Sequence, residues 1–347
     1  MKKIKIIAIF IILIFSFCAC QAPSTKNTDL AQDKIEVYYI DVGQADCALV
    51  LCEGKSLLID GGNVEDGEDI VAFIKETGLT SLDFIVATHA HEDHVGGLTK
   101  IINSFDIGAV LSPVSSYSST CFNDFKQVAT KKGAFTVCNN NYSFSIGSAM
   151  AKILWPDSTE QSNTNNTSIV LRIKYKSVAF LFTGDIERDA ETKLVASGAD
   201  LSANVLKVAH HGSDSSSSYL FLRSVLPQYA IISCGRNNSY NHPHKQTLDI
   251  LSQAEIKTFR TDELGTICVS SDGTNISVSA NETISTTTAA PGAPALESAI
   301  TFIANKNSKK FHLPDCSSLP KEENRVYFAS RSSAVEAGYS PCSVCKA

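Results

Sequence analysis

The sequence predicts a layered α/β domain over residues 35–280, a linker over 281–298 and a small stapled domain over 299–347. Three observations carry this reading. Short apolar runs alternate with helical stretches from Ile35 to about Ala280, the pattern of sheets covered by helices. Thr286 to Pro294 is a run of Thr, Ala, Pro and Gly with too little apolar surface to fold. The tail of about fifty residues is short enough to need a metal or a disulfide, and it carries suitable ligands.

The elements follow in chain order. Residues 1–20 read as an export signal, with Lys2, Lys3 and Lys5 ahead of the apolar run Ile6 to Phe17, which is shorter than the ~20 residues a membrane-spanning helix needs. Phe17-Cys18-Ala19-Cys20 resembles a bacterial lipoprotein box with Cys20 as the lipidated residue; simple secretion is the other reading. Residues 21–34 are polar and without period, a flexible tether. The chain is therefore expected outside the cell, touching the membrane only through a lipid anchor or not at all. Export permits disulfides, although Cys47, Cys52, Cys121, Cys138, Cys234 and Cys268 lie singly and read more readily as buried thiols.

Ile35–Val42, Cys47–Cys52 and Ser56–Asp60 read as three successive strands, and Asp69–Thr77 as a helix stopped by Gly78. Leu82–Thr88 is a buried strand. Further strands are expected at Ala149–Leu154, Ile169–Tyr175, Val178–Thr183, Val205–Val208, Ala230–Ser233 and Ile276–Ser279. Helices are expected at Phe122–Lys132, Ile186–Ala196, Ser217–Val225 and Lys245–Ser252. The composition, 44% hydrophobic and 19% charged, excludes wholesale disorder and a coiled coil. The net charge of −6 leaves no basic excess to hold a polyanion, so a nucleic-acid contact would need a local patch or bound cations.

Seven of the eight histidines fall in tight groups, and the eighth, His312, stands among the cysteines of the tail. His89, His91, Asp93 and His94 follow the strand ending at Thr88, and neutral imidazoles with a hard carboxylate at this density suit zinc, manganese or iron at adjacent sites. The segment is H-x-H-x-D-H, and it resembles the signature of the metallo-β-lactamase superfamily. The resemblance implies a four-layered αββα fold and a two-ion centre (Zn or Mn). It also implies that an acidic residue after a later strand bridges the ions, and Asp185 in Phe182-Thr183-Gly184-Asp185 stands there. The last ligand would be a His after a further strand. His210 at the strand end is the first choice, with His211 a ligand or a contact to the transition state. Tyr39–Cys47, Leu58–Gly62, His210–Ser213 and Asn241-His242-Pro243-His244 are similar to the lactamase-like domain of ComEC-type DNA-uptake proteins, over roughly Ile35 to Ala280.

The resemblance implies hydrolysis by a water activated between two cations, as nuclease or other phosphodiesterase on DNA. Asp93 and His211 would sit at the reacting centre, and His242 or His244 would donate to the developing charge, unless Asn-His-Pro-His is a surface turn. Asp46 and Asp60 would orient the ligands, or else be solvated turn carboxylates. One departure stands out: no His lies between His94 and His210, where many members place one. Asn163, Asn165, Asn166 and Ser168 lie near that position, so one ion is expected to be held more weakly. Lys207, Arg236 and Lys245 could supply local contacts to a polyanion. A cell-wall phosphodiester, such as a phosphorylcholine or teichoic-acid linkage, is the alternative substrate, and a non-catalytic DNA binder the alternative class.

In the tail, His312 and Cys316 form H-x3-C, and Cys342 and Cys345 form C-x2-C, four ligands for one closed structural zinc. A Cys342–Cys345 disulfide is the other reading. The tail resembles the zinc-binding domain of Ada proteins. His312 stands where that pattern has a cysteine, which favours a structural or DNA-contacting role over methyl acceptance. From Ala299 on, Lys and Arg number seven against four Asp and Glu, a basic tail on an acidic chain.

Overall fold

The computed structural model describes residues 33–140, 142–156, 163–280, 283–288, 302–314, 316–328 and 331–345. The export signal, Cys20 and nearly all of the expected tether lie outside the described residues. Among the described residues no helix is long and apolar enough to cross a membrane.

β1 (Ile35–Tyr39), β2 (Ala48–Cys52) and β3 (Lys55–Ile59) form an antiparallel meander. The sheet then continues in parallel through β4 (Ser81–Val86), β5 (Asp106–Ser112) and β6 (Phe135–Val137). The connections are α1 (Gly67–Glu76), the short α2 (Glu92–Val95), α3 (Leu98–Ser104) and α4 (Thr120–Lys131). A second sheet repeats the plan. β7 (Ser143–Ile146), β8 (Ala149–Trp155), β9 (Val170–Tyr175) and β10 (Val178–Phe182) are antiparallel, and β11 (Val205–Lys207), β12 (Tyr229–Ile232) and β13 (Lys257–Arg260) add in parallel. Here α5 (Arg188–Ala196), α6 (Tyr219–Val225) and α7 (Lys245–Gln253) make the crossovers, and α8 (Thr261–Leu264) follows β13. The chain then returns to the first sheet as β14 (Ile267–Ser271) beside β1, and β15 (Asn275–Ala280) beside β14. This repeat is one of topology; no matching repeat of residues is visible in the sequence.

The packing explains the layers. Along β10 every residue is buried: Val178, Phe180 and Phe182 face the core between the sheets, while Ala179 and Leu181 face the helices outside. A strand covered on both faces reads as a continuous apolar run, which is why it was legible as a strand but not as an alternating one. β1 alternates instead, with Ile35, Val37 and Tyr39 turned inward, and Tyr39 stacks on Phe182 across the sheets at 5.8 Å. The order helix, sheet, sheet, helix is the αββα sandwich expected above.

The linker expectation over 281–298 needs correction at its start. Thr283–Thr288 form β16, antiparallel to β15. β-Branched threonines favour extended backbone and found a free edge to pair with, which outweighed the low apolar content.

β17 (Phe302–Asn305), β18 (Lys310–His312), β19 (Arg325–Phe328) and β20 (Ser340–Pro341) make a separate four-stranded sheet, with α9 (Arg331–Glu336) beside it. Phe302, Phe311, Leu313, Ala334 and Tyr339 join one apolar cluster with Leu222, Ile250 and Leu251 of the outer helices. The small sheet therefore packs on the helical layer over the second large sheet.

Candidate metal centre

The site lies where the parallel strands of both large sheets end. β3 leads to Asp60, β4 to Thr88 and His89, β10 to Asp185, β11 to His210 and His211, and β12 to Ser233. Two backbone approaches make this convergence possible. A Cβ on Gly97 would lie 2.3 Å from Gly61 O, and one on Gly184 would lie 2.8 Å from Ser168 Oγ, so side chains are excluded at both places.

Asp93, His94, Asp185 and His211 bring one ligand atom each to within 4.8 Å of one another. His94 Nε2 is 3.3 Å from Asp185 Oδ2, and His211 Nε2 is 3.2 Å from Asp93 Oδ2. The ring nitrogens behind them are tied back. His94 Nδ1 donates to Asp60 Oδ2 at 2.8 Å, and Asp60 also accepts from Thr88 N at 2.7 Å and Thr88 Oγ1 at 2.8 Å. His211 Nδ1 donates to Ser233 O at 3.0 Å, with Asp46 Oδ1 3.3 Å away. Both imidazoles thus turn Nε2 toward the carboxylates, the arrangement that orients metal-bound histidine. His89 Nε2 and His91 Nδ1 approach to 3.0 Å beside this tetrad, and the His89 and His94 rings lie 4.1 Å apart.

The donors fit divalent cations. His94 Nε2 and Asp185 Oδ1 are buried and make no hydrogen bond, a costly condition that a bound ion relieves. Electrostatics agree. Burial opposes charge on Asp185, yet His94 and His211 hold it well below the usual carboxylate range, and Asp93 is drawn down to about 2 against its burial by His94 and His211. Burial likewise opposes a charged His211, but Asp185 and Asp46 push it up to about 10. The cluster is an anionic cradle that recruits positive charge.

The order of the two consecutive histidines differs from expectation. His211, not His210, enters the tetrad. Both residues adopt left-handed backbone (φ 51° and 52°), which turns the chain so that the second ring faces inward. His210 stays at the rim, its Nδ1 3.2 Å from Ser215 Oγ and its Nε2 3.9 Å from Asp185 Oδ2. Such paired left-handed conformations in non-glycine residues are uncommon and concentrate at functional sites.

His242 and His244 also part company. His242 lines the open cavity of about 620 Å³ with Gln44, His91, Asp93, Asn165, Asp185, His210 and His211. Gln44 Oε1 accepts from Gly235 N, so Gln44 Nε2 donates to His242 Nδ1 at 3.4 Å and the ring proton is left on Nε2. Burial and the neighbouring imidazoles lower His242 to about 4, so it is a neutral donor at pH 7. His244, the alternative donor, does not line the cavity. Its Nδ1 accepts from Asp214 N at 3.0 Å and its Nε2 donates to Tyr240 O at 3.2 Å, so the ring is held by the two flanking loops.

Asp46 and Asp60, expected as orienting carboxylates, are both buried behind ligands. The structure adds their partner: Lys207 Nζ donates to Asp46 Oδ2 at 2.7 Å. Lys207 is buried and so is no polyanion contact, as the sequence had allowed. The apolar run Val205–Val208 around it was the signal that it points inward. Arg236 is occupied by Asp262 O, while Lys245 is exposed and pairs with Asp249.

In the small domain the ligand atoms of His312, Cys316, Cys342 and Cys345 lie within 4.8 Å of one another. Backbone amides of Ser318 and Val344 donate to Cys316 Sγ and Cys342 Sγ, each at 3.4 Å, and Leu313 N donates to Cys345 Sγ. Amides aimed at sulfur stabilise thiolates, and the Cys342 thiol sits below its ordinary value despite burial, through the amides of Cys345 and Val344. The thiols are unbridged, as are the other described cysteines, so the disulfide reading falls.

Residues 40–236 match the family model of the metallo-beta-lactamase superfamily. The chain belongs to that superfamily. Residues 297–347 match the metal binding domain of Ada. Among curated relatives of this metallo-hydrolase, ComE operon protein 3 of Bacillus subtilis is 29% identical over 67% of this chain and 32% of its own length. Competence protein ComA of Neisseria gonorrhoeae is 30% identical over 70% of this chain and 33% of its own. Recombination protein 2 of Haemophilus influenzae is 26% identical over 64% and 27%. The superfamily member described here thus spans about a third of the length of the relatives it matches.

Proposed function

We propose that the chain is an exported, metal-dependent phosphodiesterase that acts on DNA as a nuclease. The observation that carries this is the tetrad Asp93, His94, Asp185 and His211 with His89 and His91 beside it, opening on a cavity large enough for a polymer backbone. When bound, two divalent cations (Zn or Mn) would supply Lewis acidity and a water of pKa near ~7. The chain's own groups do the rest. Asp60 and Ser233 fix the tautomers of His94 and His211, and Asp93 stands at the open side of the tetrad, facing the cavity. His242 Nε2 can donate to charge developing on a phosphoryl oxygen. Tyr240, 64% exposed, stacks on His242 at 5.7 Å and forms an aromatic lip suited to a base.

DNA is favoured over a wall polymer by the relatives named for competence and by this lip. Purified protein is expected to turn over bis-nitrophenyl phosphate in the presence of Mn²⁺ or Zn²⁺ and to cleave single-stranded DNA, with His91→Ala losing both. Activity on choline-phosphate esters without activity on DNA would move the substrate to the cell wall. DNA binding with no turnover by any metal-loaded preparation would leave a non-catalytic binder.

A further inference from the structure

The superfamily pattern leaves one ligand place unfilled in this chain, and four neighbouring polar residues compete for it. Three are already committed. Asn163 Oδ1 accepts from Asn165 N, Asn166 Oδ1 accepts from Glu187 N, and Ser168 Oγ accepts from Asp185 N. Asn165 differs. Its Nδ2 donates to Glu187 Oε1 at 3.0 Å, while Asn163 Nδ2 takes Glu187 Oε2 at 2.9 Å. The Glu187 carboxylate thus decides which way the amide points. Asn165 Oδ1 is left as a buried acceptor with no hydrogen-bond partner, on a side chain only 8% exposed that lines the same cavity as His91 and Asp185. An orphaned buried carbonyl oxygen costs on the order of 1–3 kcal/mol unless something positive meets it.

We propose that Asn165 Oδ1 is the protein's substitute for the absent imidazole, completing with His89, His91 and Asp185 the second cation position, and that Glu187 is the positioning residue that holds it. This rests on the two-ion reading of the cavity. Exchanging one imidazole nitrogen for a neutral amide oxygen hardens the donor set and shifts its preference from Zn²⁺ toward Mn²⁺.

The test is a Mn²⁺ titration of the full chain followed by electron paramagnetic resonance, with zinc retained at the four-ligand thiolate site. Wild type is expected to bind two Mn²⁺ in the cavity. Asn165→Ala should weaken one by about tenfold or more and spare the other, at unchanged Tm. Asn165→His should favour Zn²⁺ there by at least tenfold. Two unaltered Mn²⁺ affinities in Asn165→Ala, or equal weakening of both, would overturn the assignment. Absence of cavity-bound Mn²⁺ in wild type, with His91→Ala indistinguishable from it, would instead overturn the two-ion reading itself.

Discussion

Lys207 Nζ sits 2.7 Å from Asp46 Oδ2, and this buried pair joins the second sheet to the first directly behind His211. Lys207 also donates to Val208 O, so two of its three protons are satisfied without water. His211 and Lys207 together keep Asp46 ionised against the penalty of burial.

Lys207→Met should therefore cost about 3–5 kcal/mol, because it leaves Asp46 buried and short of its cation. Urea denaturation checks this. The double variant Asp46→Asn/Lys207→Met should lose less than the sum of the two single changes, since no unpaired charge remains.

Asp60→Asn should leave the fold intact and weaken divalent-cation binding roughly 10–100-fold. The amide cannot hold His94 Nδ1–H as a carboxylate does, so the Nε2 lone pair is no longer fixed on the tetrad. Competition with a chromophoric chelator gives the affinity directly.

Glu191 on α5 accepts from the backbone amides of Ser217 and Ser218 at the start of α6, and burial pushes it up to about 7 from its usual range. Between the unfolded value near ~4.5 and the folded value the native state binds the extra proton. Its contribution is therefore complete below the lower value and is lost as pH rises through about 7. The loss is on the order of 3 kcal/mol. Glu191→Gln should flatten the fall in stability between pH 5 and 8, measured by denaturant midpoints at each pH.

His242→Ala should lower kcat by roughly 10²–10³-fold, the usual effect of removing one preorganised donor. Because His242 is neutral down to pH of about 4, the variant should keep the wild-type shape of the pH–rate profile from 5 to 8. A changed acidic limb would count against a neutral-donor role.

Cys342→Ser should remove one zinc per chain and loosen the small domain, since β17 to β20 have little core apart from the cluster they share with the outer helices. Total zinc by mass spectrometry, before and after chelation, reads this out.

Much of the chemistry was legible along the chain because it is local in sequence. H-x-H-x-D-H and the paired H-x3-C and C-x2-C spacings each put several candidate ligands within a few residues, Thr-Gly-Asp adds one more, and apolar runs marked the strands that carry them. Strands such as β5, β13 and β14 escaped, because Gly108 interrupts the first and the others are short and half polar.

The sequence alone determined the candidate ligand types, the superfamily, the two-part layout and the absence of an intermediate histidine. Tertiary structure decided which of His210 and His211 turns inward, that Lys207 is a buried counter-ion and that His244 is held by Asp214 away from the cavity. It also left Asn165 with an unsatisfied oxygen in the cavity. These outcomes depend on left-handed backbone and on partners 22 to 161 residues away, and side-chain direction is set by those distant contacts rather than by neighbouring letters.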